Sequence, residues 1–203
     1  EFARRNIDLP VYWGNRNSEP FFDGALQTLH ADGHREVLAL ATSAYSSYSG
    51  CRQYREDLAV AFDGMDIDVA KVAQFFDGDG FIAANAEALA ASLQDAPLGT
   101  RTIFVTHSVP VTSQSQRYVE QHEAVAREIV RRAAAQGITV EAPTLAYCSR
   151  SGAPSQPWLE PDVNDVLRQL AAEGVTDVCV APIGFISDHM EVIFDLDTEA
   201  QET

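Results

Sequence analysis

The segment 181–199, APIGFISDHMEVIFDLDTE, concentrates side chains that can move a proton or bind a cation. Its pattern predicts the end of an apolar strand, a turn at Pro and Gly, and an acidic helix. Residues four apart lie on one face of a helix, so Glu191, Asp195 and Glu199 form a row of carboxylates. Like charges at this spacing cost a few tenths of a kcal/mol per pair, about 0.2–0.5. The row therefore predicts a face along which a hard divalent cation passes.

The same acidic residues have a structural interpretation. Asp188 followed by Glu191 fits a capping box, in which both acids bind the free amides of a helix start. Glu199 fits a solvated acidic face, and Asp195 lies between the two cases. Spacing alone leaves both interpretations open.

Charge and composition exclude several classes of protein. The 203 residues carry a formal net charge of −16, which argues against a nucleic-acid surface and favours cations. The sequence has neither an apolar run long enough for a transmembrane helix nor a basic membrane patch, so we expect a cytoplasmic protein. Cys51, Cys148 and Cys179 are odd in number and widely spaced, which supports neither a disulfide framework nor a self-contained zinc site.

Strand and helix patterns alternate along the chain. Strands are predicted at 8–13, 37–41, 101–106, 144–147 and 177–181, and helices at 21–29, 53–62, 81–93, 117–135 and 162–172. The runs at 37–41 and 101–106 are apolar enough for strands buried on both faces. This alternation predicts an α/β fold with parallel sheets flanked by helices, in two lobes. The irregular stretch 63–80 suggests the boundary, with lobes at 1–80 and 81–203.

Ligands of open parallel sheets bind beyond the carboxyl ends of the strands. His107 follows the strand at 101–106, and the cluster at 188–191 lies at the same predicted rim. A hydrogen-bonded loop histidine is the structural alternative for His107. The sequence contains no dinucleotide fingerprint, Walker A loop, HExxH or GxSxG, which argues against nucleotide binding, zinc proteolysis and a serine-hydrolase elbow.

Aromatic residues near this rim could hold a flat ligand. Tyr45 and Tyr48 lie in a Ser-rich predicted loop, where they could form a wall of the binding site, and Phe76 is a further candidate. For Trp13 we expect a place in the core. Arg16 is a candidate anchor for carboxylates of a ligand.

Three longer motifs resemble those of the ferrochelatases. They are THSVP at 106–110, SGAPSQPWLEPD at 151–162 and PIGFISDHMEVIFDLDTEA at 182–200. The stretches YWGNRN and TSAYSSYSGCRQYREDL are most similar to the bacterial branch that metallates coproporphyrin III. The similarity covers nearly the whole chain.

The resemblance implies two Rossmann-like lobes with a porphyrin cleft between them, lined by the last acidic helix. It implies an enzyme, a lyase of haem biosynthesis that inserts Fe(II) into a porphyrin, most similar to those acting on coproporphyrin III. It assigns catalysis to His107 and Glu191, and metal contacts to these two residues with Asp195 and Glu199. The implied substrate-binding residues are Tyr45, Tyr48, Phe76, Ser187 and His189.

The resemblance also leaves alternatives. The family has a segment before Glu1 and further sequence after Thr203, so the chain resembles an internal portion of a longer protein, which we expect to be a monomer. Some members bind a [2Fe–2S] cluster through a residue matching Cys51, with its other ligands in a C-terminal tail. The resemblance therefore allows a cluster in the full-length protein, and we do not expect it to be complete in this chain. A chelatase for another metal or for protoporphyrin IX, and a non-catalytic tetrapyrrole or haem carrier, are the competing functions.

Overall fold

The computed structural model describes residues 2–203, and their contacts divide the chain into two units. The first unit contains the chain up to Ala41 together with Arg52–Ala73, and the second contains Thr42–Cys51 together with Gln74–Thr203. Within the described residues, no helix is both long enough and apolar enough to cross a lipid bilayer. The predicted lobe boundary near residue 80 stays a prediction about the whole protein.

The first unit is built around a small parallel sheet. Its strands β1 and β2 pair in parallel, with Glu36 opposite Asp68. Its elements are a 3-10 helix (Ala3–Arg5), α1 (Phe22–Ala31), β1 (Glu36–Ala39), α2 (Gln53–Ala61) and β2 (Asp68–Lys71). A short π-helix (Tyr48–Arg52) precedes α2, and all of it but Arg52 belongs to the second unit. Strand β2 lies within the stretch predicted to be irregular, so that prediction was wrong there.

Two further predictions for this unit were wrong. The stretch 8–13 is not a strand in the structure, because none of the described strands pairs with it. The run 37–41 is a strand in part, but it is not buried on both faces, since Leu38 and Leu40 are 69% and 62% exposed. An apolar run predicts a doubly buried strand only where other elements cover both faces. In the described part of the chain, β2 is the strand that pairs with β1.

The second unit contains a three-stranded parallel sheet in the order β4-β3-β5, which confirms the predicted parallel arrangement. Strand β3 is central, and its residues 102–106 are buried, as its apolar sequence predicts. The elements of this unit are α3 (Asp79–Leu93), β3 (Arg101–His107), α4 (Ser115–Ala135), β4 (Glu141–Cys148), α5 (Val163–Ala172), β5 (Val178–Ala181) and a π-helix (Val192–Ala200), called the acidic π-helix below.

Helices cover both faces of this sheet. Phe104 of β3 belongs to one core cluster together with Ile82 of α3 and Ile129 of α4. Val105, the next residue of β3, belongs to a second cluster with Val166 of α5 and with residues of the acidic π-helix. Successive strand residues point to opposite faces, so the sheet lies between two helical layers. This is the α/β arrangement with flanking helices that the sequence predicted.

The acidic π-helix differs from the prediction in its hydrogen bonding. The carboxylate row was argued from α-helical spacing, whereas Val192–Ala200 has the i→i+5 hydrogen bonds of a π-helix. Its buried side chains, Val192 and Leu196, are four residues apart. An apolar pair at this spacing is typical of an amphipathic α-helix, so the sequence pattern does not distinguish the two helix types.

Candidate active site

His107 is the last residue of β3, and in the sheet it lies opposite Cys148, the last residue of β4. Its Nδ1 is hydrogen-bonded to the carbonyl oxygen of Ser108. A carbonyl oxygen only accepts, so in the neutral imidazole Nδ1 carries the hydrogen and Nε2 has a free lone pair. The side chain is 32% exposed. His107 therefore presents a basic nitrogen at the carboxyl end of the sheet.

The backbone after His107 continues the pairing of β3 with β4 by one residue. The N–H of Ser108 donates to the carbonyl of Cys148 at 2.7 Å. The hydroxyl of Ser108 donates to the carbonyl of Leu159 at 2.8 Å. These bonds hold the residue whose carbonyl fixes the His107 ring.

Glu191 comes immediately before the acidic π-helix, and its carboxylate faces His107. The distance from Glu191 Oε1 to His107 Nε2 is 3.5 Å, and the Glu191 side chain is 51% exposed. A carboxylate oxygen and an unprotonated imidazole nitrogen are both acceptors. A shared proton or a cation would turn this contact between two acceptors into an attractive one.

His189 contacts the backbone at the start of the same helix. The Glu191 N–H donates to His189 Nδ1 at 3.3 Å, and the His189 ring packs edge to face on Phe185 with centroids 5.1 Å apart. His189, rather than Asp188, accepts this N–H, so the bond expected of an Asp188–Glu191 capping box is replaced. Ser187 and Asp188 are exposed beside it.

The remaining two carboxylates of the predicted row differ in environment. Asp195 is half-buried and accepts a hydrogen bond from the hydroxyl of Ser149, while Glu199 is exposed. Among residues 2–203, no group of three or more His, Cys, Asp or Glu side chains converges as a metal cage. The carboxylates therefore form an open series rather than a closed site.

Sequence reasoning missed two features near this pair. Ser149 was not selected, although it binds Asp195 and has a left-handed φ of 61°, a conformation uncommon for a residue other than glycine. The second feature is a group of exposed large apolar side chains around Glu191, namely Ile186, Met190, Ile193 and Phe194. The sequence indicated that some of these residues are exposed, because a helix that buries Val192 and Leu196 on one face cannot also bury the apolar residues of its other faces.

The structure corrects the prediction for Tyr45. This side chain is 3% exposed, its hydroxyl donates to the carbonyl of Ile183 at 3.0 Å, and burial raises its pKa. It therefore packs in the core and lines no binding surface. Phe76 is half-buried and stacks on Tyr45 with centroids 6.1 Å apart. Tyr48 is exposed.

Two predictions in the first unit also change. Trp13 is exposed and donates a hydrogen bond to the Asn15 side chain, so the expected place in the core was wrong. Arg16 is paired with Asp57 at 2.7 Å and lies over the Tyr54 ring at 3.8 Å. The structure thus gives this guanidinium internal partners in place of the predicted ligand carboxylates.

Cys51 does not by itself fit an iron–sulfur cluster. It is a half-buried free thiol, whereas a [2Fe–2S] cluster requires four protein ligands. Within the described residues, no cluster of three or more potential ligands includes it.

Comparison with solved structures defines the class of fold. The chain is similar to SirB from Bacillus subtilis, solved with Fe3+, with a TM-score of 0.64 over 98% of this chain and 73% of that one, at 11% sequence identity. At this identity the likeness concerns the fold alone.

Sequence comparison identifies the family. The ferrochelatase family model matches residues 1–203, and the chain belongs to the ferrochelatase family. It is 47% identical to the coproporphyrin III ferrochelatase of Streptomyces griseus, over 98% of this chain and 59% of the relative. It is 44% identical to the protein of the same name from Leifsonia xyli, over 100% of this chain and 59% of the relative. The chain thus spans about 59% of the length of these relatives.

Proposed function

We propose that the whole protein is a ferrochelatase, a lyase of haem biosynthesis that inserts Fe(II) into a porphyrin. The observation that carries this proposal is the approach of His107 Nε2 to Glu191 Oε1 at 3.5 Å beyond the end of β3. A base and a carboxylate at this distance, both partly exposed, form a proton-accepting pair that substrate can reach.

The reaction requires a proton acceptor. A free-base porphyrin carries two pyrrole N–H groups, and insertion of Fe(II) releases both protons as two Fe–N bonds replace the N–H bonds. Because Nδ1 of His107 donates to Ser108, the lone pair on Nε2 is free to accept a pyrrole proton. Glu191 then stabilises the imidazolium and accepts the proton from it. The pair is reset when Glu191 releases the proton to water.

We propose that the acidic row delivers iron to this pair. Asp195 and Glu199 follow Glu191 along the acidic π-helix, and oxygen ligands suit a hard divalent cation. An open series of carboxylates favours passage over retention, as a substrate metal requires. The exposed apolar residues near Glu191, with Tyr48, Ser187 and His189, are the proposed contacts of the macrocycle.

Two relatives at 44% and 47% identity carry the name coproporphyrin III ferrochelatase, and we propose the same substrate here. Coproporphyrin III has four propionates and protoporphyrin IX has two. A competition experiment with both porphyrins, Fe(II) and the whole protein tests this choice. We expect preferential metallation of coproporphyrin III, and preferential metallation of protoporphyrin IX would overturn it.

The activity itself is tested with His107→Ala in the whole protein. We expect Fe(II) insertion to be lost while porphyrin fluorescence is still quenched on binding, since the variant removes a base and leaves the apolar contacts. His30→Ala, a change in α1, is the matched control and should insert iron at the parental rate. A parent protein that binds porphyrin without metallating it would instead indicate a tetrapyrrole carrier.

A further inference from the structure

A buried histidine outside the proposed catalytic pair lies behind β3. His122 of α4 is fully buried, and its ring stacks on Tyr45 with centroids 3.5 Å apart and planes at 16°. A polar side chain with no exposure must find hydrogen-bond partners for both ring nitrogens. Both partners are present, and they fix the tautomer of the ring.

Nδ1 of His122 lies 2.8 Å from the carbonyl oxygen of Tyr118. That oxygen only accepts, so Nδ1 carries a hydrogen. Burial lowers the pKa of His122 to about 4, so the ring is neutral near pH 7 and Nε2 is an acceptor. The hydroxyl of Thr106, 2.9 Å away, therefore donates its hydrogen to Nε2.

This assignment determines the next bond. With its hydrogen donated to His122, Thr106 Oγ1 accepts from the Tyr118 hydroxyl at 2.7 Å. The same hydroxyl lies 3.0 Å from the carbonyl oxygen of His107. One phenolic hydrogen thus serves two acceptors on consecutive residues of β3. The side chain of Thr106 and the backbone of His107 are both held to α4.

The peptide unit between His107 and Ser108 is consequently held on both sides. Its carbonyl oxygen accepts a hydrogen bond from the Tyr118 hydroxyl, and its N–H donates to the carbonyl of Cys148 at 2.7 Å. Rotation of this peptide would move Ser108, whose own carbonyl fixes Nδ1 of His107. The orientation of the proposed base therefore depends on a hydrogen bond made on the opposite side of the backbone.

We propose that Thr106, Tyr118 and His122 form a hydrogen-bonded clamp that keeps Nε2 of His107 directed at Glu191. This inference rests on the proposed function for its catalytic consequence, but its geometric claim is independent of activity. Tyr118 is the positioning residue, since its hydroxyl holds the backbone of His107. Thr106 and His122 hold that hydroxyl in place, because His122 accepts the Thr106 hydrogen and leaves Oγ1 to accept from Tyr118.

The sharpest variant removes the shared hydrogen. Tyr118→Phe keeps the ring and removes the hydroxyl that donates to the His107 carbonyl. In the whole protein we expect Tyr118→Phe to lower kcat for Fe(II) insertion by about tenfold, with KM for both substrates within about twofold, because misorientation of a base affects the chemical step. Parental kcat in a folded Tyr118→Phe protein would overturn the proposal.

Tyr147→Phe is the control for this variant, because Tyr147 is a buried neighbour opposite Thr106 whose hydroxyl takes no part in the clamp. We expect Tyr147→Phe to leave kcat unchanged. Equal effects of the two variants would indicate general packing and contradict the clamp.

A spectroscopic readout separates this inference from the proposed function. In whole protein labelled with 15N-histidine, we expect NMR to show His107 as the single tautomer protonated on Nδ1, and Tyr118→Phe to give a mixture of tautomers. A changed tautomer in a protein that inserts no iron would support the clamp and refute the function. Unchanged His107 signals in Tyr118→Phe, or a mixture of tautomers already in the parent, would refute the clamp whatever the activity.

Discussion

At the scale of single residues, two neighbours at the carboxyl edge of the sheet differ in their chemistry. His107, at the end of β3, presents Nε2 to the carboxylate of Glu191 at 3.5 Å. The cysteine next to it in the sheet, Cys148, has a different character. Burial raises the pKa of its thiol to about 12, so the thiol stays protonated near neutral pH.

We therefore predict that Cys148 reacts slowly with iodoacetamide. In the folded whole protein at about pH 8, half-buried Cys51 should be alkylated at least about tenfold faster, because the buried Cys148 thiol holds little thiolate. Peptide mass spectrometry measures both rates. Labelling in denaturant should abolish the difference, and faster labelling of Cys148 in the folded protein would contradict the account.

His122 predicts a pH dependence of stability. Burial lowers its pKa from 6.5 to about 4, so between these values the unfolded chain binds more protons than the folded one. The neutral His122 ring therefore makes its full contribution to the free energy of unfolding above pH 6.5. As the pH drops towards 4, this contribution falls by on the order of 3 kcal/mol. Urea unfolding of His122→Gln should lack this part of the decline. His189→Gln, a change at an exposed histidine, should retain it.

Tyr45 shows why some residues were assigned incorrectly. Its neighbours in sequence are serines, which indicate a polar loop, yet its ring is buried against His122 of α4. Burial depends on a helix far along the chain, and local composition does not report that contact. The Thr106 and Tyr118 hydroxyls were missed for the same reason, since their roles depend on which helix covers β3.

At the scale of elements, the close approach of Gly184 to β3 gives a further prediction. A Cβ built on Gly184 would lie 2.1 Å from Thr106 Oγ1 and 2.6 Å from Thr106 Cα, and the Gly184 N–H donates to the Val105 carbonyl at 3.1 Å. We expect Gly184→Ala to lower the free energy of unfolding by about 1–3 kcal/mol, as overpacking does.

The matched control is Gly80→Ala in α3. A Cβ at Gly80 has no heavy atom within 4 Å, and alanine favours a helix over glycine by roughly 0.5–1 kcal/mol. This variant should therefore be slightly stabilised. Chemical unfolding of both variants in the whole protein measures the difference, and equal stability of the two would contradict the described packing.

The elements also show where sequence patterns stop being informative. The five buried residues of β3 are apolar or threonine, and a strand there was predicted correctly. Strand β2 has the sequence DVAK, too short and polar to stand out from the irregular stretch around it. The acidic π-helix was predicted as an α-helix from its carboxylate row, and its buried residues Val192 and Leu196 suit either spacing. In each case the missing information is tertiary or lies in backbone hydrogen bonding.

At the scale of the whole molecule, the alternation of strands and helices was enough to predict parallel sheets flanked by helices. The motifs that resemble the ferrochelatases supplied the family, which the comparison confirms over the full chain. His107, Glu191 and the clamp all lie in the second unit. Since the chain spans about 59% of the length of its relatives, the proposed activity is that of the whole protein and is to be measured there.

The central claim is that His107 and Glu191 act as one proton-accepting pair. A double-mutant cycle in the whole protein tests it most directly, with kcat for Fe(II) insertion into coproporphyrin III measured for the parent, His107→Ala, Glu191→Gln and the double variant. We predict that each single change lowers kcat by at least about 100-fold, and that the double variant is no slower than the slower single variant, since residues acting as a unit are lost together. Losses that multiply in the double variant, or a single variant with parental kcat, would contradict the account.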